Sequence, residues 1–342
     1  MPGEVGFKIA VYAKTDVGRV RPGNEDNFLV VNLSTADTWT PEAGGTEPAD
    51  SLTTFNQSHY GQILAVSDGM GGALAGEVAS RLAVECVRDR MLELQASPTY
   101  SRFPFHERLR LSVELANLYI YQMSLKRVEC SGMGATFTAL GLFGGTAYFA
   151  QVGDSRGYVI RTGQVQQLTR DQSLVGQLVQ AGHITEEEAE RHTYKNVILQ
   201  ALGASATVNV EVDRLALRDM DIVLLCSDGL SNKVRPDEMR RIVEDSATLK
   251  EACDTLIELA NARGGEDNIT VMISQFAGAG LPSPERRAAS FTAGLVADPS
   301  MQERWGAEPI PRDPELPYEI EAHLVDDEED TLAPTENLKR VD

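Results

Sequence analysis

The 342-residue chain holds only four cysteines, Cys86, Cys130, Cys226 and Cys253, and no two of them stand in a CxxC pair. That scarcity excludes a cysteine-cage zinc site and a paired-thiol redox centre. The scattered thiols, in mostly apolar surroundings, are expected to be buried and reduced. No apolar run nears the roughly 20 residues needed to cross a bilayer, and residues 1–14 carry no basic stretch leading into an apolar one. A cytoplasmic protein without membrane attachment is expected. Basic residues are scarce as well: 31 Lys and Arg stand against 51 Asp and Glu, a formal net charge of −20. Such a surface repels a phosphate backbone, which excludes non-specific nucleic-acid binding and docking on anionic lipid.

What is present is enough apolar material for a sizeable core, 42% of residues. Phe7, Ile9, Val11 and Ala13 alternate with more polar neighbours, the period of a half-buried strand. Further strands are expected at 28–33, 62–66, 135–142, 146–152, 158–168 with a hairpin at Thr162-Gly163, 222–226 and 269–273. Helical spacing marks Ala75, Val78, Ala79, Leu82, Ala83, Cys86 and Val87, and again 106–126, 236–243 and 249–262. Residues 34–58, rich in Thr, Gly, Pro and acids, read as an exposed loop insertion. Residues 171–203 read as a small helical subdomain with short helices at 177–181 and 185–191. Grouped strands with helices in pairs suggest α+β layering rather than alternating βαβ units. One folded domain over 1–278 is expected, followed by a tail over 279–342. From Leu281 onward the tail holds eight of the fifteen prolines and 15 acidic against 6 basic residues, which reads as disorder.

Carboxylates stand beside glycine or asparagine at strand ends in five places. These are Asn24-Glu25-Asp26-Asn27, Ser67-Asp68-Gly69-Met70, Gly153-Asp154-Ser155, Ser227-Asp228-Gly229 and Glu266-Asp267-Asn268. Glycine beside such an acid lets the backbone approach a ligand closely. If the clusters converge, their charges repel unless a cation neutralises them. All-oxygen ligation favours Mg²⁺ or Mn²⁺, and none of the five histidines sits beside these acids to argue for zinc. A lone Asp-Gly is ordinarily a turn. On spacing alone, a metal site and a set of acidic turns stand level.

In order and content these segments resemble the PPM family, the type 2C metal-dependent serine/threonine protein phosphatases. The resemblance is carried by Thr15-Asp16-Val17-Gly18-Arg19-Val20-Arg21 with Asn24-Glu25-Asp26, then Ser67-Asp68-Gly69-Met70-Gly71-Gly72 and Gly132-Met133-Gly134-Ala135-Thr136. Gly153-Asp154-Ser155-Arg156, Ser227-Asp228-Gly229-Leu230 and Asp267-Asn268-Ile269-Thr270-Val271 complete it, over residues 7–276. It implies a four-layer αββα sandwich, two mainly antiparallel sheets flanked by helix pairs, with 171–203 as a flap. It implies two Mn²⁺ or Mg²⁺ ions, with Asp68 bridging them, the Gly69 carbonyl on one, and Asp228 and Asp267 on the other. Glu25 and Asp26 would act near the centre through waters, Asp154 would hold a third, weaker ion, and Arg21 would grip the substrate phosphate. Direct attack by a metal-bridging hydroxide on phosphoserine or phosphothreonine follows, with phosphorylated proteins as substrates, a Ser/Thr kinase in opposition and a monomer as the default. One departure stands out. Met70 occupies the place where many relatives carry His, and a thioether cannot protonate the leaving group. The competing reading is a catalytically weak regulator of the same fold that binds phosphoproteins.

Overall fold

The alternation beginning at Phe7 becomes β1 (Lys8–Asp16), with Ile9, Val11 and Ala13 buried on one face and Lys8 exposed. The computed structural model describes residues 6–41, 50–71, 73–284, 289 and 291–295. Strand β1 pairs antiparallel with β13 (Ile269–Ala277) over its full length and with β4 (Thr54–Asn56) at its start. Beyond β13 lie β12 (Ile222–Cys226), β9 (Arg156–Arg161) and β10 (Gln164–Gln167), giving the order β10-β9-β12-β13-β1-β4.

The second sheet is also antiparallel. It contains β2 (Asp26–Asn32), β3 (Thr38–Trp39), β5 (Gln62–Met70), β7 (Phe137–Phe143), β8 (Thr146–Val152), β11 (Glu211–Ala216) and β14 (Phe291–Thr292). Its order is β14-β11-β8-β7-β5-β2-β3, and β6 (Gly134–Ala135) pairs with the end of β5. Val11, Phe28, Val30, Leu64, Phe149, Val223, Leu225 and Phe276 fill the space between the sheets. Burial of side chains this size contributes roughly 1.5–3 kcal/mol each.

Helices close both outer faces. On the first sheet, α7 (Pro236–Asp245) and α8 (Leu249–Ala262) bury Met239, Val243, Leu256 and Ile257 against Tyr158, Leu224 and Ile273. Proline at the first position of α7 and a Thr248 side chain accepting from Glu251 N define their starts. On the second sheet, α2 (Ala73–Ala96) and α3 (Phe105–Lys126) bury Val78, Ala79, Leu82, Leu109, Val113 and Ile120. The result is the expected α+β, four-layer sandwich. The flap carries α4 (Leu174–Gln180) and α5 (Glu186–Glu190), the latter opened by a Thr185–Glu188 capping box.

Three expectations need correction. The 34–58 insertion is not merely a loop: it contains β3, α1 (Asp50–Thr53) and β4. Trp39 packs edge-on against Phe28 at 5.1 Å and Tyr12 at 5.8 Å, while 42–49 lie outside the described residues. Strand β11 was not expected, because Asp213 interrupts its apolar pattern; that buried carboxylate accepts from Gly294 N at 2.5 Å. The domain boundary at 278 falls short. Leu281 and Ala289 are buried in the inter-sheet core, Phe291 pairs with Leu215, and Leu295 N donates to Val212 O at 2.8 Å. Residues 285–288, 290 and 296–342 of the expected disordered tail lie outside the described residues. All four cysteines are free, and Cys130, Cys226 and Cys253 are buried.

Candidate active site

The acids converge because strand register and loop hydrogen bonds bring their chain segments to one end of the sandwich. In the β2–β5 pair Asp26 lies directly opposite Asp68, so both side chains fall on one face. Thr136 brackets Asp68: Asp68 N donates to Thr136 Oγ1 at 2.9 Å and Thr136 N to Asp68 O at 2.8 Å. Gly69 follows under tight constraint. A Cβ there would stand 2.1 Å from Gly76 O in α2 and 2.7 Å from Glu25 O, closer than any side chain tolerates.

The first sheet supplies the other half. Strand β12 runs into Ser227 and α6 (Asp228–Ser231), which opens on Asp228. Ser227 Oγ donates to Asp26 Oδ2 at 2.7 Å and accepts from Thr270 N at 2.9 Å, joining the two sheets directly behind the acids. Asp267 leads into β13 and accepts from Arg21 Nη2 at 2.9 Å. Its neighbour Asn268 holds the whole 17–25 loop. Asn268 Nδ2 donates to Val17 O and Gly23 O, both at 2.9 Å, and Oδ1 accepts from Glu25 N at 2.8 Å.

Asp154 sits in the β8–β9 connection, beside a Gly153 whose φ of 98° suits glycine. A buried polar network fixes that turn. Gly153 N donates to Gln172 Oε1 at 2.9 Å, and Gln151 Nε2 donates to Gly153 O at 3.0 Å and Ser155 O at 2.9 Å. Arg156 is locked in a forked pair with Asp171, its shortest contact 2.6 Å.

A cavity of about 390 Å³ is lined by Arg21, Glu25, Asp68, Gly69, Asp154, Asp228 and Asp267. Of the residues expected from sequence, only Asp26 is absent from this wall; it lies buried behind it, on Ser227. Met70 also lines the cavity. Sequence reasoning missed Lys195, Asn196 and Ile198 of the flap, and Asn232 and Lys233 after Asp228. Asn232 Nδ2 donates to Asp228 Oδ2 at 3.1 Å, and its spacing of four along a helical turn was a readable signal. The flap residues carried none.

Burial dominates the electrostatics. It holds Asp68 well above the ordinary carboxylate range, and the neighbouring Asp26, Asp228, Asp154 and Asp267 push the same way. Burial lifts Asp26 to about 7 against the hydrogen bond from Ser227, and lifts Asp154 to about 7 with Asp228 adding. Asp228 and Glu25 are raised by burial too. Burial pulls Arg21 down most strongly, but its hydrogen bond to Asp267 together with the negative charges of Asp267, Glu25 and Asp68 leaves it raised. The buried Oδ1 atoms of Asp26 and Asp228 have no hydrogen-bond partner. Crowded, oxygen-only, partly unpartnered donors suit a hard divalent cation. Among the described residues, however, no three His, Cys, Asp or Glu side chains already form a group able to hold an ion as they stand. The acids share a cavity rather than a finished cage.

The model of the family described as "Protein phosphatase 2C" matches residues 42–266. The chain belongs to this family. It is accordingly an enzyme, a protein phosphatase. The matched span holds Asp68, Asp154 and Asp228, while Arg21, Glu25, Asp26 and Asp267 fall outside it. The serine/threonine phosphatase stp of Listeria monocytogenes is 37% identical over 260 residues, 76% of this chain and 93% of that one. The serine/threonine phosphatase of S. agalactiae superposes with a TM-score of 0.65 at 31% identity, covering 78% of this chain and 98% of that one. The catalytic domain of the serine threonine protein phosphatase PstP, solved in complex with two manganese ions, gives a TM-score of 0.62 at 30% identity, covering 80% and 100%. Among the described residues no helix is long and apolar enough to cross a membrane.

Proposed function

We propose that this phosphatase hydrolyses phosphoserine and phosphothreonine in proteins, using two Mn²⁺ or Mg²⁺ ions held at the cavity floor. The observation that carries this reading is the meeting of Glu25, Asp68, Asp154, Asp228 and Asp267, from five separate segments, around one cavity with Arg21 in its wall. The Asp68 carboxylate, the Gly69 carbonyl and the Asp228 and Asp267 carboxylates would hold the ions directly. Glu25 and Asp26 would act through waters, and Asp154 would hold a weaker third ion. When bound, the ions supply a hydroxide at near-neutral pH for direct, in-line attack on phosphorus.

The chain's own residues perform the rest. Arg21 has five N–H donors, and the bond to Asp267 engages only Nη2. The others serve a phosphate oxygen and offset its charge. Ser227 and Asn232 orient Asp26 and Asp228 through their hydrogen bonds. Met70 has no proton to give the leaving alkoxide, so that proton is assigned to water within the cavity.

Asp228→Asn tests the reading. Amide for carboxylate preserves shape and removes a charge that burial and Asp267 disfavour, so the metal-free fold is expected to hold, with a thermal unfolding midpoint no lower than that of the wild type. Turnover of p-nitrophenyl phosphate and of a phosphothreonine peptide, measured across a Mn²⁺ series, is expected to fall by about 10²-fold or more. Calorimetry should show weakened Mn²⁺ binding. Wild-type turnover in the variant would overturn the assignment. A wild-type protein with no metal-dependent turnover on either substrate would favour the phosphoprotein-binding regulator.

A further inference from the structure

The segment Gly132-Met133-Gly134-Ala135-Thr136 stands out in the sequence, yet none of its residues lines the catalytic cavity. Thr136 lies opposite Asp68, in register with the pairs Val66–Thr138 and Gly69–Ala135 on either side. A hydrogen-bonded antiparallel pair normally exchanges two backbone bonds. One is kept here, from Thr136 N to Asp68 O at 2.8 Å. Hydroxyls replace the other: Asp68 N donates to Thr136 Oγ1 at 2.9 Å, and Thr136 O accepts from Ser67 Oγ at 2.6 Å.

The same hydroxyl reaches the turn that carries Asp154. Thr136 Oγ1 and Ser155 Oγ are hydrogen-bonded at 2.7 Å, and both residues are fully buried. Gly153 completes the contact, since a Cβ there would stand 2.7 Å from the Thr136 methyl. Thr136 is therefore wedged between the backbone that presents Asp68 and the turn that presents Asp154. Valine would match its shape, but can neither accept from Asp68 N nor bond Ser155. Groups that fix ion-holding carboxylates from behind commonly cost about 10–100-fold in metal affinity or activity when removed.

We propose that Thr136 is a positioning residue which, with Ser155, holds Asp68 and Asp154 in one fixed relation, so that ion binding between them depends on the Thr136–Ser155 bond. The proposal rests on the catalytic reading given above. Full-length Thr136→Val, Ser155→Ala and Thr136→Ser would be compared with wild type by Mn²⁺ calorimetry and by kcat/KM on a phosphothreonine peptide. Thermal unfolding of each metal-free protein shows that the assays are made on folded chains. Thr136→Val is expected to lose about 10-fold or more in Mn²⁺ affinity and in kcat/KM. Ser155→Ala keeps the bond from Asp68 N and should lose about three-fold or more in both. Thr136→Ser keeps the hydroxyl, loses only the methyl, and should stay within about two-fold of wild type. If Thr136→Val does not fold, the other two variants decide. Wild-type affinity and rate in Ser155→Ala overturn the link between the two acids. A Thr136→Ser enzyme that loses about 10-fold or more overturns the role of the hydroxyl. Either result, beside an active wild type, leaves the catalytic reading standing. A wild-type protein that neither binds Mn²⁺ nor turns over the peptide overturns that reading and the positioning role with it.

Discussion

Asn268 touches no substrate in the proposed reaction, yet its side chain holds the loop that presents Arg21 and Glu25. Asn268→Ala removes two donated hydrogen bonds and one accepted one, leaving Val17 O, Gly23 O and Glu25 N without these partners. A net value of about 0.5–1.5 kcal/mol each gives roughly 2–4 kcal/mol for the three, less whatever water recovers in a half-open loop. The loss should appear as lower stability in urea and, because the loop loosens, as a misplaced Arg21. A displacement near 1 Å at a positioning group costs about 10²-fold in rate. The assay is kcat/KM on a phosphothreonine peptide for Asn268→Ala, Arg21→Ala and the double variant. If Asn268 acts through Arg21, the double variant loses little more than Arg21→Ala alone. Fully multiplicative losses would refute the coupling, and so would a single variant with wild-type stability and rate.

Three other outcomes are expected. Ending the chain after residue 296 should leave the melting temperature unchanged. Ending it after 280 removes Phe291 from Phe149 and strips buried Asp213 of its partner, at a cost of about 3–5 kcal/mol, and equal midpoints would refute this. Asp221→Ala leaves buried Arg161 without its two 2.6 Å bonds and should cost about 3–5 kcal/mol in denaturant titration, whereas a change under 1 kcal/mol would contradict a buried pair. Hydrogen bonds from Arg263 lower Glu238 from 4.5 to about 2. A depressed carboxylate stabilises the fold fully above its unfolded value and loses that contribution as pH falls from 4.5 toward 2. The pair is solvent-screened, so the gain is at most about 1 kcal/mol. The wild-type minus Arg263→Ala stability difference should shrink over that window, and a flat difference would count against the pair.

Much of this architecture was legible because the acid motifs coincide with places where strand periodicity stops. Residues 222–226 and 249–262 match their elements residue for residue, since both lie between clear caps or turns. Strand β11 was hidden because its buried Asp213 breaks the alternation, and groups distant in sequence, the Gly294 amide and the Arg170 charge, offset that burial. Strand β14 was hidden inside a proline-rich, acidic stretch whose composition suggests no order, although a few apolar residues suffice to dock it. At the site, Asp68, Asp154, Asp228 and Asp267 were readable as motifs. Asp26 was readable as an acid but not as a buried one, because its place depends on Ser227 from the other sheet. Lys195 and Ile198 reach the cavity only through the flap's tertiary path, which leaves no local pattern.

The bond between Ser227 and Asp26 has a consequence for how the enzyme fails. Neither sheet owns a complete set of acids: Asp68 belongs to one, Asp228 and Asp267 flank strands of the other. A chain in which both halves keep their own strands but slide or part at this seam would retain its secondary structure and lose its chemistry at once. On the proposed chemistry, catalysis would report the docking of two layers, and heating should silence the enzyme no later than it melts the sandwich.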